Sequence, residues 1–232
     1  MLFYYVEQSE LSVIHEDNQI IVVIKSQGMP TQADASGDLD LLTNVKDYLG
    51  GKFVGLVHRL DRVTGGVMVF AKTSKAASRL AEQMQNNGFE KTYHAIVQGA
   101  PKKREETLVN YLLKNEAKNT VQVVPSATKG AKRAELEYRM LESKDEQSLL
   151  QVKLLTGRGH QIRVQLANIG HPIVGDHKYG AGAQKELALW AHELCFTHPT
   201  TEEFLKFIVN PPEDGAWANF EYDRTVRKAG AK

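Results

Sequence analysis

The chain has 232 residues, 42% of them hydrophobic and 25% charged, with a formal net charge of +1. That length fits one large domain or two small ones, and that balance supports a packed core, so global disorder, collagen and coiled coil are excluded. The longest aliphatic run, Ile20 to Ile24, falls far short of the ~20 apolar residues a membrane helix needs, and the N-terminal MLFYYVEQSE reads as too short and too acidic for a secretion signal.

The first elements in chain order are the β-branched runs SVIHED and QIIVVIKS, split by Asp17-Asn18, which predict a hairpin. Asp38 is placed to cap a helix that brings Leu39, Leu42, Val45 and Leu49 near one face. FVGLVH and VMVFAKT read as strands, joined by the polar loop RLDRVTGG. Ser74 opens a second helix with Ala76, Ala77, Leu80 and Met84 inward, and Asn87-Gly88 stops it. Strands YHAIVQG, TVQVV, AELEYRM and LLQVKLL follow, then TGRGHQIRVQLANIG, a glycine turn into a short helix ended by Gly170. No fixed-period repeat and no long linker interrupts the chain, so residues 1–232 read as a single domain. Many short strands, few helices and no strict β–α alternation point to an α+β fold on a largely antiparallel sheet.

Cys195 is the only cysteine, which rules out an intrachain disulfide and suits a reducing, cytoplasmic setting. The charge is unevenly spread. Lys52 to Arg79 holds six basic residues against Asp61, Pro101 to Arg133 eight against three acids, and Leu149 to Gly180 four against Asp176. Blocks of this kind fit one polyanion-binding face, or they scatter on folding.

Asp61 lies in H58-R59-L60-D61-R62, where flanking arginines favour an ionised carboxylate, a candidate nucleophile or base. On these five residues alone a structural Asp–Arg pair is the commoner explanation. Gly65-Gly66 reads as a tight turn or a close backbone approach. Tyr93 sits in an alternating strand, where its ring could stack on a base and its hydroxyl shuttle a proton, although a half-buried strand tyrosine is the commoner case. G157-R158-G159-H160-Q161-I162-R163 crowds cations at a helix start, a setting that attracts anions, without the third glycine of a dinucleotide fingerprint. His171 and His177 with Asp176, or His192 and His198 with Cys195, are the candidate metal ligands, but none has zinc-site spacing. A Cys195–His198 nucleophile is the weaker reading, since Cys195 lies in an apolar run.

Taken together and in order, DNQIIVVIKSQGMPTQ, VHRLDRVTGGVMVFAKT, KTYHAIVQG, AKRAELEYRM, LLTGRGHQIRVQLANIGHPIVGDHKYG and LALWAHELCFTHPTTEEFLKFIVNPP resemble the RluA-type RNA pseudouridine synthases over nearly the whole chain. The resemblance implies a single α+β catalytic domain with a mixed, bisected sheet and a central basic cleft, acting without cofactor or metal. It places Asp61 at the catalytic aspartate, Tyr93 at the active-site tyrosine, Arg163 at the basic partner of the aspartate, and Arg59 at the arginine that helps displace the target nucleotide. Around these positions, His58, Arg62, Thr64, Arg158, His160 and Gln161 are the further candidates for binding substrate. Ser26, Gly65, Gly159, Gln165 and Trp190 depart from the family pattern, where proline, serine, threonine, histidine and histidine are usual.

The implied partner is structured RNA, tRNA or ribosomal RNA or both, and the implied assembly is a monomer off the membrane. The aspartate motif begins too near the N-terminus for the S4-type domain that some relatives carry, so target recognition is expected to fall to the catalytic domain. Two other readings share parts of the pattern: an RNA-binding module or chaperone without catalysis, and an unrelated histidine-based metal hydrolase.

Overall fold

The computed structural model describes residues 11–180 and 186–221. The N-terminal segment read for a secretion signal lies outside them. The hairpin forms as predicted, with β1 (Ser12–Glu16) against β2 (Ile20–Lys25). Asp17 makes its turn by accepting the Gln19 and Ile20 N–H groups at 2.6 and 2.8 Å. Helix α1 (Leu41–Tyr48) is capped by Asp40, whose carboxylate accepts the Thr43 N–H at 3.0 Å. The predicted cap Asp38 lies outside the helix and pairs with Arg62, and Leu39 is exposed, because the helix begins two residues later than its apolar spacing suggests.

A short β3 (Gly55–Leu56) pairs with β4 (Gly65–Ala71), and α2 (Ser74–Gln85) starts from a Thr73 cap. The remaining strands are β5 (Glu90–Gln98), β6 (Glu105–Asn115), β7 (Thr120–Val124), β8 (Lys132–Lys144), β9 (Gln147–Leu154), β10 (Leu189–Thr197) and β11 (Phe204–Ile208), with α3 (Gln161–Asn168) between β9 and β10. Strand β6 was not anticipated: its leucine pair breaks the alternation, and it is held in place by β8 and β7 on its two edges.

All of these strands join one sheet, in the order β1-β2-β4-β10-β5-β9-β8-β6-β7. Every pairing is antiparallel except β4 with β10, which is parallel and spans only Gly65–Gly66 against Trp190–Ala191. Beyond that contact β11 takes the edge of β10, so the sheet splits between β4 and β10. Gly66 adopts φ +124°, and a Cβ there would meet the Ala191 carbonyl oxygen at 2.2 Å. Gly65-Gly66 is therefore a strand start made for a close backbone approach. Strand β8 buries Ala134, Leu136 and Tyr138 and exposes Arg133, Glu137 and Arg139, the one-sided pattern of a half-solvated sheet. No helix among the described residues is long and apolar enough to cross a membrane.

Candidate active site

Asp61 lies on the loop between β3 and β4, where the sheet splits. The backbone around it is pinned on both sides. The Lys25 ammonium, fully buried at the end of β2, donates to the carbonyls of Ser26 (3.0 Å), Met29 (2.6 Å) and Arg62 (3.1 Å). The Gly28 N–H reaches the same Arg62 carbonyl at 2.9 Å. The Thr31 hydroxyl donates to the Leu60 carbonyl at 2.8 Å and accepts the Leu60 N–H at 3.3 Å. Gln27 ties the Val63 carbonyl to that of Leu187, and the Thr64 N–H closes a turn onto the Asp61 carbonyl at 2.9 Å. Burial pulls the Lys25 pKa down to about 8, against the pull of the Asp61 charge.

Helix α3 approaches from the other side. Arg163 gives Asp176 a two-pronged contact, Nε to Oδ2 at 2.8 Å and Nη2 to Oδ1 at 2.7 Å. Its third nitrogen, Nη1, is left 3.7 Å from Asp61 Oδ2. His160 Nε2 stands 3.8 Å from the same oxygen. Burial disfavours the Arg163 charge, but the hydrogen bonds and charge of Asp176 outweigh it and raise its pKa. Burial likewise opposes the Asp176 charge, and Arg163 overcomes it, so that carboxyl is held below its ordinary value. Asp176 Oδ1 also accepts the Lys178 and Tyr179 N–H groups, which shapes the turn carrying Tyr179.

Tyr93 is in register with Ala191, and Ala191 with Gly66, so the tyrosine sits two strands from the end of the Asp61 loop. It is buried, and burial first, then the Asp61 charge, raises its phenol pKa. Asp61, Tyr93, Arg163 and His160 therefore form one cluster, although the hydrogen bonds of Arg163 go to Asp176 rather than to Asp61.

The other predicted substrate-binding residues separate into two groups. Arg59 is exposed on the same loop, without an ion pair or hydrogen bond among the described residues. Arg62 is exposed but held by Asp34, Ser36 and Asp38. Arg158 is exposed and donates to the Arg133 carbonyl at 3.0 Å. The second group is framework. His58 turns inward, accepts the Val69 N–H at 3.2 Å and packs near Phe89, and burial takes its pKa to about 3. Thr64 is buried. Gln161 is buried and spent on the Glu135 carbonyl, the Thr156 hydroxyl and the Arg158 N–H. The basic block from Lys52 to Arg79 is partly spent as well, since Lys72 pairs with Glu16 and Arg79 donates to the Pro199 carbonyl.

Three residues of the site carry no sequence signal strong enough to single them out for it: Lys25, Asp176 and Tyr179. Lys25 ends an apolar strand, where a lysine ordinarily reaches solvent. Asp176 drew notice only as a candidate metal ligand. The histidine readings come apart. His198 accepts the Thr200 and Thr201 N–H groups and faces Asp17, His192 stacks on His94 at 3.8 Å, and burial pushes the Cys195 thiol up to about 11. No group of three His, Cys, Asp or Glu side chains among the described residues converges as a metal site.

Comparison with known proteins identifies the family. The model of a family described as RNA pseudouridylate synthase matches residues 19–168. A protein of Aquifex aeolicus, named an uncharacterized RNA pseudouridine synthase, is 38% identical and covers 89% of this chain and 71% of its own. The tRNA pseudouridine synthase C of Vibrio parahaemolyticus is 32% identical over 94% of this chain and 98% of that protein. The ribosomal large subunit pseudouridine synthase D of Zymomonas mobilis is 32% identical over 88% and 70%. The structure of human RNA pseudouridylate synthase domain containing 1 matches in fold, with a TM-score of 0.75 at 24% identity over 89% of this chain and 86% of that one. The chain belongs to the RNA pseudouridylate synthase family, as an RluA-type isomerase of uridine in RNA.

Proposed function

We propose that Asp61 is the catalytic aspartate and that it acts on the ribose of a uridine flipped out of a structured RNA. Pseudouridine formation breaks the N1–C1′ bond, turns the uracil and joins its C5 to C1′, after which C5 gives up its proton and N1 takes one up. Asp61 acts at the sugar, Tyr93 stacks on the detached base, and Arg163 steadies the carboxylate. The observation that carries this reading is the convergence of Arg163 Nη1 and His160 Nε2 on one oxygen of the Asp61 carboxylate, which has no other hydrogen bond or ion pair among the described residues. Extrusion of the uridine costs a few kcal/mol of stacking, and Arg59, exposed beside Asp61, fills the vacated place. Exposed lysines and arginines hold phosphates, so binding weakens steeply with salt. The RNA is read by shape and by its unpaired loop bases.

The substrate is tRNA or ribosomal RNA. The Vibrio parahaemolyticus relative, which matches almost end to end, is named as a tRNA enzyme, so tRNA is the first substrate to assay. Release of tritium from RNA carrying 5-tritiated uridine measures turnover. Wild type releases it; Asp61→Asn folds and binds RNA but releases none. Turnover retained in Asp61→Asn discards the assignment, and RNA binding by wild type without any release identifies a non-catalytic RNA-binding module.

A further inference from the structure

We propose, resting on the reading above, that His160 is a positioning residue for Asp61, held by the Tyr179 hydroxyl as the tautomer that carries its proton on Nε2.

The argument follows one chain of hydrogen bonds. The Val121 N–H donates to the Tyr179 hydroxyl oxygen at 2.8 Å. The hydroxyl's own proton then needs an acceptor, and among the described residues His160 Nδ1, at 2.7 Å, is the one within reach. A ring that accepts at Nδ1 carries its proton on Nε2. Nε2 is the atom that faces Asp61 Oδ2, at 3.8 Å. The tautomer therefore decides whether Asp61 meets a donor or a lone pair.

Two further observations converge on the same residue. His160 sits in the left-handed region (φ 52°, ψ 17°), a strained conformation for a side chain with a Cβ, which turns the ring out of the start of α3. The Arg163 guanidinium lies over the Tyr179 ring, 5.2 Å from its centre. One tyrosine thus orients both groups that face Asp61 Oδ2: its hydroxyl fixes His160 and its face supports Arg163. The charged groups around His160 are Asp61 on the β3–β4 loop, Arg163 on α3, and Asp176 and Lys178 on the turn that follows. Burial first, then Arg163 and Lys178, pull the His160 pKa down against the two aspartates, so the ring is neutral at pH 7 and its tautomer matters.

Tyr179→Phe keeps the ring under Arg163 and deletes only the hydroxyl. His160 then samples both tautomers, and one of them turns a lone pair toward Asp61. Acidification protonates both nitrogens and restores the donor. The experiment combines 15N NMR of histidine-labelled protein, with His160→Gln assigning the signal, and pH profiles of tritium release for wild type, Tyr179→Phe, His160→Gln and His160→Ala. The expected spectrum shows an unprotonated Nδ1 at His160 in wild type and a mixture in Tyr179→Phe. Tyr179→Phe should lose about tenfold in kcat at neutral pH, the effect of one hydrogen bond, with KM little changed and the loss shrinking as pH falls. His160→Gln, whose side-chain amide nitrogen can replace Nε2, should keep more activity than His160→Ala. A protonated Nδ1 in wild type overturns the proposal. So does a Tyr179→Phe deficit that is the same at every pH, or equal losses in His160→Gln and His160→Ala. The spectrum needs no turnover, so a wild type that releases no tritium sinks the catalytic reading while the tautomer is judged independently.

Discussion

Gly65 and Trp190 share one space. A Cβ on Gly65 would lie 2.3 Å from Trp190 Cζ3 and 2.8 Å from Cε3, so the indole occupies the volume a side chain there would need. Trp190 is buried and donates Nε1–H to the Val209 carbonyl at 3.0 Å. These are two of the five positions where the chain departs from the RluA-type pattern, which has serine and histidine there. The larger ring and the missing side chain compensate each other at the β4–β10 contact that ends the Asp61 loop.

Gly65→Ser in the wild-type background should therefore destabilise by about 1–3 kcal/mol, the usual cost of overpacking. In a Trp190→His background the same change should cost much less. A double-mutant cycle by urea unfolding measures the coupling, and equal costs in the two backgrounds would show the residues to be independent.

Asp176→Asn should cost about 3–5 kcal/mol in urea unfolding, because it removes the carboxylate that holds the buried Arg163 guanidinium through two hydrogen bonds and leaves only the looser Asp61 contact. The folded-state pKa of Asp176 is depressed, so its contribution is present above the unfolded value of about 3.9 and disappears as pH falls through the folded value. The stability gap between wild type and Asp176→Asn should accordingly close in acid. A gap that stays constant down to the lowest pH at which the protein folds would remove Arg163–Asp176 as its source.

Lys25 shows the same sign in a higher pH window. Its folded pKa of about 8 lies below the ordinary lysine value, so between the two the unfolded chain binds more protons than the folded one. Stability from this group rises with pH in that window, by up to about 1.4 kcal/mol per pH unit. The difference in unfolding free energy between wild type and Lys25→Met should climb from pH 8 toward pH 10. A flat difference would mean that burial does not lower the Lys25 pKa.

Arg62 donates to Asp34, Ser36 and Asp38, so its guanidinium is already engaged by two carboxylates and a hydroxyl of one loop. RNA must displace this loop to use Arg62. The double change Asp34→Asn with Asp38→Asn should leave the melting temperature unchanged, tighten RNA binding at low salt, and steepen the salt dependence by about one ion. The gain should vanish when Arg62→Ala is added. Tightening that survives Arg62→Ala would assign the effect to general loss of negative charge.

The local patterns in the sequence reach some way into this structure. The hairpin at Asp17, strand β7 and the inward face of α2 follow from turn chemistry and periodicity, which act over a few residues. The cap of α1 was misplaced because Asp38 and Asp40 both precede the helix, and only the packing of Leu41 and Val45 selects between them. His58 and Gln161 stand inside recognisable motifs, yet both point into the framework. A motif states which residues travel together and not which way each side chain turns.

The sequence by itself determined the class of fold, the family, and three residues that the fold gathers around Asp61: Tyr93, His160 and Arg163. Those are marked by short motifs whose order along the chain is specific. Only the tertiary structure decided who holds them. Lys25 bracing the Arg62 carbonyl, Asp176 taking two nitrogens of Arg163, and Tyr179 reaching His160 are contacts across folded elements, as is the Gly65–Trp190 exchange. The reason is physical: a buried charge or polar proton takes whichever partner the packed backbone brings within about 3 Å, and no local pattern encodes that partner.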